Sequence, residues 1–318
     1  METIGNVWLW SGFAIVVIVA LLADLVLMRH GGPHKVTFKE ALWWSLGWIV
    51  LALAFNAGLW WYVSETAGQV AGNRIGLEFL TGYLVEKSLA VDNIFVFLMV
   101  MSYFAVPEEQ RQRVLVIGVL GAIVLRAIMI FAGSVLLTKF HWLLYVFGAF
   151  LLLTGIKMWF SAGKEPDLEA NPALRWMRRH LRLAPQYAGN ALSVVRDGKR
   201  WFTPLFVVLI LIAVTDVIFA VDSIPAIFAI TTDPFIVLTS NVFAVLGLRA
   251  MFFLLAGMAD RFHLLPYGLA VILVFIGVKM MIIDLYKIPV LVSLAAVAVI
   301  LAATVTLSLL RPAKPAQR

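Results

Sequence analysis

The sequence contains no cysteine and very little charge. Only 14% of its 318 residues are Asp, Glu, Lys or Arg, whereas about 25% of the residues in a soluble domain are charged. The absence of cysteine excludes disulfides, thiolate metal sites and cysteine nucleophiles. Hydrophobic residues make up 63% of the chain, and several apolar runs are long enough to cross a bilayer. We therefore expect an all-α polytopic membrane protein and not an enzyme.

The apolar runs predict about nine transmembrane helices in a single domain that spans residues 1–318. Two N-terminal helices occupy 4–63, three more occupy 79–160, three occupy 202–284, and a last helix occupies 288–310. The hydrophilic stretch 161–201 is too short for a catalytic domain, so we interpret it as a loop with a short surface helix. The nine predicted spans are 4–28, 41–63, 79–104, 114–137, 142–160, 202–230, 235–258, 264–283 and 288–310.

The distribution of basic residues predicts the orientation in the membrane. With the N-terminus outside, the inner connections and the tail carry seventeen Lys and Arg residues, and the outer connections carry three, Arg74, Lys139 and Lys287. Short loops rich in Lys and Arg stay in the cytoplasm. We therefore expect an outer N-terminus, an inner C-terminus and a cytoplasmic loop at 161–201. The net charge of +7 reflects this orientation and does not indicate a nucleic-acid partner.

The chain contains an internal repeat. Acids six residues apart, Glu86 and Asp92, recur as Asp216 and Asp222 at an offset of 130, and Leu125-Arg126-Ala127 recurs as Leu248-Arg249-Ala250 at 123. The segment Gly155-Ile156-Lys157-Met158 recurs as Gly277-Val278-Lys279-Met280 at 122. Each unit has three spans, an odd number, so the second unit enters the membrane from the opposite side. This pattern predicts a 3+3 inverted repeat of spans 3–5 and 6–8, typical of secondary transporters.

Five acids lie within predicted spans, which is unusual because a charge at the bilayer centre costs at least about 2.5–3.5 kcal/mol. They are Asp24, Glu86, Asp92, Asp216 and Asp222. A spacing of six rotates about 240° around a helix, so the acids of one pair do not share a face. Either each acid has a separate role, or the helix is broken between them; Pro225 would free a carbonyl near Val221.

Together with Asn93 and Ser223, these acids offer only oxygen ligands, a set that suits Mn²⁺, Mg²⁺ or Ca²⁺ better than copper or zinc. Lys87, Arg126 and Arg249 would balance or gate the charge of the site. We expect the cation to be transported and no cofactor to be tightly bound. The alternative interpretation is that acids and bases pair inside the bundle for structural reasons alone.

The segments Glu86-Lys87-Ser88-Leu89-Ala90-Val91-Asp92-Asn93 and Asp216-Val217-Ile218-Phe219-Ala220-Val221-Asp222-Ser223 resemble the TerC family of bacterial membrane proteins, as does Asn241-Val242-Phe243-Ala244. The resemblance covers about residues 5–308 and is weakest in 161–200. It implies manganese export across the bacterial inner membrane, and metal-binding roles for Asp24, Glu86, Asp92, Asp216 and Asp222. The residues themselves do not distinguish Mn²⁺ from Ca²⁺ or efflux from uptake. They also do not determine the oligomeric state or whether transport is coupled to protons.

Other classes of function could also use intramembrane acids. An intramembrane aspartyl protease should show a Gly-x-Gly-Asp loop, which Ala213-Val214-Thr215-Asp216 lacks. A non-transporting partner that delivers metal to other membrane proteins, and a transporter related to Ca²⁺ or tellurite stress, stay open as alternatives.

Overall fold

The computed structural model describes residues 3–30, 37–140, 142–161, 171–196, 198–256, 264–286 and 288–310, with the side chains of 25–30 and of Asp92 excepted. Within these ranges the chain forms eleven helices and one short hairpin. In chain order they are α1 (Val7–His30), α2 (Phe38–Ala67), α3 (Gln69–Tyr103), α4 (Glu108–Lys139), α5 (Leu143–Ser161), α6 (Pro172–His180), β1 (Ser193–Arg196), β2 (Lys199–Phe202), α7 (Pro204–Phe228), α8 (Pro234–Leu246), α9 (Leu248–Ala256), α10 (Leu265–Met281) and α11 (Val290–Leu310).

Six of the described helices are long and apolar enough to cross a membrane, namely α1, α2, α4, α5, α7 and α11. The bent pair α8–α9 makes a seventh if it is counted as one span. Helix α3 carries five charged residues and is less apolar than these helices, and α10 has only 17 residues and is shorter. Neither is therefore counted among them. The structure thus supports an all-α polytopic membrane protein, and the count of nine spans stays a prediction.

The predicted loop contains more structure than the sequence indicated. Helix α6 lies where a short helix was expected. The side chain of Asn171, the residue before it, caps the helix by accepting hydrogen bonds from two backbone amides of the first turn. The helix buries Leu174 and Met177. The antiparallel hairpin β1–β2, in which Ser193 pairs with Phe202, was not predicted, because its two strands are four residues each.

Helix α7 runs unbroken through Asp216, Asp222 and Pro225. The proline lies in the last turn of the helix, and only three residues of α7 follow it. The break occurs instead at Gly247, between α8 and α9, which are bent by 40°. Span seven, predicted as one continuous helix over 235–258, is therefore two helices, and the two acids of α7 lie on a regular helix.

Helices α5 and α10 run antiparallel in close contact. Gly148 near the start of α5 faces Met280 near the end of α10, and the rings of Trp159 and Tyr267 meet at the opposite ends, 5.2 Å apart. A Cβ on Gly155 would lie 2.8 Å from the carbonyl oxygen of Ala270. These backbones can approach so closely only because the contact residues are small.

The contact is also reciprocal. A Cβ on Gly277 would lie 2.8 Å from the carbonyl oxygen of Gly148, just as one on Gly155 would approach the carbonyl of Ala270. The repeat offset of 122 relates Gly155 to Gly277 and Gly148 to Ala270. Equivalent residues thus exchange equivalent contacts, which is the pattern of a two-fold axis.

Candidate functional site

The guanidinium of Arg126 lies at the centre of a buried charged cluster. Arg126 on α4 is 0% exposed. Its Nη1 donates to Oε1 of Glu86 on α3 and to Oδ1 of Asn241 on α8, at 3.0 Å. Its Nη2 lies 3.7 Å from Oδ1 of Asp216 on α7. One arginine therefore joins four helices, and it holds the equivalent acids of the two repeats, Glu86 and Asp216.

This cluster contains more polar atoms than its hydrogen bonds use. Among the described residues, Glu86 Oε2, Asp216 Oδ2, Asn241 Nδ2 and Arg126 Nε are buried without a hydrogen-bond partner. A buried polar group without a partner costs about 1–3 kcal/mol, so a cluster with several of them is suited to binding water or an ion. The two carboxylates each direct one oxygen to Arg126 and keep the other available.

A small cavity adjoins the cluster and contains the second acid of α7. It has a volume of about 40 Å³ and is lined by Leu89, Asn93, Thr154, Met158, Phe219, Asp222, Ser223 and Leu273. The carboxylate of Asp222 lies within hydrogen-bonding reach of Thr154 and close to Lys157. Ser223 Oγ connects the cavity to the cluster, since it lies 3.5 Å from Nη1 of Arg126.

The oxygens of this cavity could hold a small cation. Asn93 is 2% exposed, and among the described side chains its Oδ1 has no hydrogen-bond partner. The carboxylate of Asp222 and the hydroxyls of Thr154 and Ser223 supply further oxygen ligands. A volume of about 40 Å³ is large enough for an ion or a water molecule, since one water molecule needs about 10–15 Å³ of cavity volume.

Asp24 and Arg249 form a separate ion pair. Nη2 of Arg249, just after the break between α8 and α9, lies 2.5 Å from Oδ1 of Asp24 on α1. The pair lines another cavity, of about 20 Å³, whose other residues are Leu21, Trp48, Val116, Val119, Leu120 and Leu246. The two repeat-equivalent arginines therefore have different partners: Arg126 binds acids of the repeats, and Arg249 binds an acid outside them.

Lys87 reaches the break in the helix. Its Nζ donates to the carbonyl of Ala244 at 3.2 Å, in the last turn of α8, where unpaired carbonyls and the helix dipole favour a cation. A Cβ on Gly247 would lie only 2.6 Å from this nitrogen. The glycine at the break thus leaves the space that the ammonium group occupies.

The structure places the predicted site residues in three groups. Glu86, Asp216 and Ser223 surround Arg126; Asp222 lines the cavity with Asn93; Asp24 pairs with Arg249. The Asp92 side chain lies outside the described residues, and among those described no three His, Cys, Asp or Glu come close enough together to hold a metal ion.

Sequence reasoning missed Asn241 and Thr154 as members of the site. Each is a polar residue inside an apolar span, so the signal that could have identified them was present but weak.

Comparison with known proteins agrees with this architecture. Residues 71–316 match the family described as "Integral membrane protein TerC family". The chain is 58% identical over 304 residues, 96% of this chain and 95% of the relative, to the "Putative membrane-bound redox modulator Alx" of Escherichia coli K12. It is 56% identical over 308 residues, 97% and 96% of the two chains, to the protein of the same name from Salmonella typhi.

A more distant relative extends the likeness to another bacterial group. The "Uncharacterized membrane protein STKORF319" of Myxococcus xanthus is 49% identical over 314 residues, which cover 98% of this chain and 96% of the relative. No solved structure matches the chain. The match of the family over most of the chain, and of the relatives over nearly all of it, confirms the resemblance drawn from the acidic motifs: the chain belongs to the integral membrane protein TerC family.

Proposed function

We propose that this protein exports a divalent cation, Mn²⁺, across the bacterial inner membrane. The observation that carries the proposal is the cavity lined by Asp222, Asn93 and Ser223, next to the buried carboxylates of Glu86 and Asp216. Ionisable groups inside a membrane carry a high free-energy cost, and they typically mark ion pathways. A carboxylate there is stabilised only when a cation, a proton or an arginine neutralises it.

The donor set favours a hard cation. Carboxylate, amide and hydroxyl oxygens suit Mn²⁺, Mg²⁺ and Ca²⁺. The choice of Mn²⁺ among these rests on the likeness to the TerC family that the sequence motifs gave. Asp92 completes the proposed site, since it is the repeat equivalent of Asp222 and precedes Asn93 in the chain.

The packing of the helices supports transport by alternating access. The reciprocal glycine contacts between α5 and α10, and their antiparallel course, are what an inverted repeat of spans 3–5 and 6–8 requires. Arg126 supports it as well, because a cation bound at Glu86 and Asp216 would compete with the guanidinium for the same oxygens. Binding and release of the ion would then change the contacts between four helices.

A redox role is the second candidate, because the E. coli relative is named a redox modulator. This chain has no cysteine, so a mechanism based on thiol–disulfide exchange is not open to it. Delivery of metal to a partner membrane complex, without transport, would use the same carboxylates and is separated from export by the flux measurement below. A Ca²⁺- or tellurite-stress transporter is distinguished from a Mn²⁺ exporter by measuring which ion is transported.

The decisive experiment measures Mn²⁺ binding and flux with the purified protein in liposomes that contain a Mn²⁺-sensitive dye and, separately, a pH-sensitive dye. We expect Mn²⁺ entry with the parent protein, and loss of both binding and flux for Asp92→Asn and Asp222→Asn. Asp284→Asn is the matched control, since Asp284 is exposed and lies outside the cavity. Proton movement opposite to Mn²⁺ would identify the coupling ion.

Three results would contradict the proposal. Mn²⁺ binding without flux would favour metal delivery, and flux of Ca²⁺ in preference to Mn²⁺ would identify Ca²⁺ as the substrate. If Asp92→Asn and Asp222→Asn both bind and transport like the parent, the site lies elsewhere.

A further inference from the structure

The loop between α5 and α7 presents a surface rich in basic side chains. Residues 171–203 contain seven Lys and Arg residues and one acid, Asp197, and all seven basic residues are exposed. Among the described residues, the ion pairs of the protein join other side chains. Five of the seven form what we call the basic patch: Arg179, Arg182, Arg196, Lys199 and Arg200.

The two halves of the basic patch lie side by side. The chain leaves α6 through Arg182, whose carbonyl oxygen accepts a hydrogen bond from the amide of Phe202, the last residue of β2, at 2.8 Å. The amide of Ala184 donates in turn to the carbonyl of Phe202 at 2.8 Å. The segment after α6 therefore runs beside the strand that carries Lys199 and Arg200, so the positive charges of helix and hairpin act together on an anionic partner.

Helix α6 is held in a fixed position against the membrane helices. Its Leu174 and Met177 are each 1% exposed. They belong to one apolar core with Val100 and Met101 of α3 and Leu205 of α7. The basic side chains are thus presented by an ordered helix whose apolar face is already buried in the protein.

Hydrogen bonds fasten the rest of the loop to the beginnings of two membrane helices. Gln110 on α4 donates to the carbonyl of Gly189 at 2.7 Å. Thr203, directly before α7, donates to the carbonyl of Ala191 at 2.8 Å. Since α4 and α7 are both long and apolar enough to cross a membrane, the basic patch is fixed beside the point where these helices enter the bilayer.

Aromatic side chains beside the patch suit the same location. Trp176 on α6 is 57% exposed, and its ring stacks on that of His180 at 5.0 Å. Tyr103, at the end of α3, is 43% exposed and lies 3.3 Å from Nη2 of Arg178. Exposed Trp and Tyr rings are typical of the interface between membrane and water, so the surroundings of the patch favour a lipid over a soluble anionic partner.

We propose that the basic patch binds the phosphate headgroups of anionic phospholipids in the leaflet on this side of the membrane. Arginine binds phosphate oxygens through two parallel N–H donors, and clusters of basic residues next to a transmembrane helix attract anionic lipids. Because the helix and the hairpin are already ordered, binding does not have to fold this segment. The proposal goes beyond ion transport and does not depend on it.

The experiment measures lipid binding through the thermal unfolding of the purified protein in a non-ionic detergent. Phosphatidylglycerol, or the zwitterionic phosphatidylcholine with the same acyl chains, is added at increasing mole fraction, and the Tm is recorded. A ligand that binds only the folded protein raises its stability as the ligand concentration rises. We expect phosphatidylglycerol to raise the Tm of the parent protein at a lower mole fraction than phosphatidylcholine does.

The double variant Arg179→Gln with Arg182→Gln removes two charges from the patch and keeps polar side chains. At about 1 kcal/mol per basic residue, or roughly fivefold in affinity, the mole fraction of phosphatidylglycerol that gives half of the rise in Tm should increase roughly 25-fold. Lys39→Gln with Lys139→Gln is the matched control, because it removes two charges from exposed positions outside the patch, and it should respond like the parent. Without lipid, all three proteins should unfold at the same temperature, which shows that they are equally folded.

Four results would overturn the proposal. The patch is not the site if the two double variants respond alike to phosphatidylglycerol. Equal stabilisation of the parent by both lipids would show that only the acyl chains are bound. An equal rise in Tm with inorganic phosphate would assign the patch to a free anion, and displacement of phosphatidylglycerol by a single-stranded RNA oligonucleotide would assign it to a nucleic acid.

Discussion

Replacing Arg126 by methionine tests the buried charge cluster most directly. The substitution keeps a long unbranched side chain and removes the charge, so Glu86 and Asp216 are left buried next to each other without their cation. Two unit charges about 4 Å apart interact by about 4 kcal/mol at an effective dielectric constant of 20, and the Arg126–Asp216 distance is 3.7 Å. Removing one partner of a buried pair typically costs about 3–5 kcal/mol.

We therefore expect Arg126→Met to lower the free energy of unfolding by about 3–5 kcal/mol, and the apparent Tm in detergent by at least about 5 °C at a fixed scan rate. Arg179→Met is the matched control, because Arg179 is exposed on α6, and substitutions at exposed positions stay within about 0.5 kcal/mol. Adding Glu86→Gln and Asp216→Asn to Arg126→Met should restore much of the loss, since neutral groups remove the repulsion.

The reasoning is refuted if Arg126→Met unfolds at the temperature of the parent protein. It is refuted equally if neutralising Glu86 and Asp216 lowers the stability of Arg126→Met further, because the carboxylates would then not be the partners that the guanidinium stabilises.

Three further predictions follow from other contacts. Gly247→Ala should displace the Lys87 ammonium from the helix break, so hydrogen exchange of the α8–α9 amides should rise, and Lys87→Met should raise it in the same way; unchanged exchange in both variants would contradict this. Gly155→Ala should cost about 1–3 kcal/mol because its Cβ meets backbone at 2.8 Å, whereas Gly121→Ala, with open space around it, should be neutral or stabilising in thermal unfolding. Tyr187→Phe should cost about 0.5–1.5 kcal/mol at pH 8, and it should reduce the loss of stability between pH 10 and 12 in an alkaline titration.

The sign of the Tyr187 effect follows from its environment outside the spans. Burial raises the pKa of Tyr187 from 10 to about 12, and its hydroxyl donates to the carbonyl of Phe104 at 2.7 Å. The folded state therefore keeps the proton to higher pH than the unfolded state does. Its contribution to stability is fully present below pH 10 and is lost as the pH rises through 12.

The apolar runs, the intramembrane acids and the family were readable from the sequence. A run of apolar residues has few alternatives to a membrane helix, and a charge within such a run is conspicuous whatever its partner. The motifs around Glu86 and Asp216 identified the family, and the relatives confirmed it. The repeat was visible because polar landmarks such as Arg126 and Arg249 recur in order.

The partners of those charges were decided by the tertiary structure. Spacing along a helix fixes only the direction in which a side chain leaves it, and the group that it meets belongs to another helix. Arg126 and Arg249 occupy equivalent positions in the sequence, yet one contacts Glu86 and Asp216 and the other contacts Asp24 of α1, a helix outside the predicted repeat.

The position of the helix break also depended on packing. Pro225 was the local signal for a break, but it lies in the last turn of α7, and only three residues of the helix follow it. Gly247 carries no such signal in an apolar span, and the chain breaks there. Lys87 from α3 fills the space that a side chain would occupy and binds the carbonyl of Ala244, a contact that joins residues 157 positions apart in the chain.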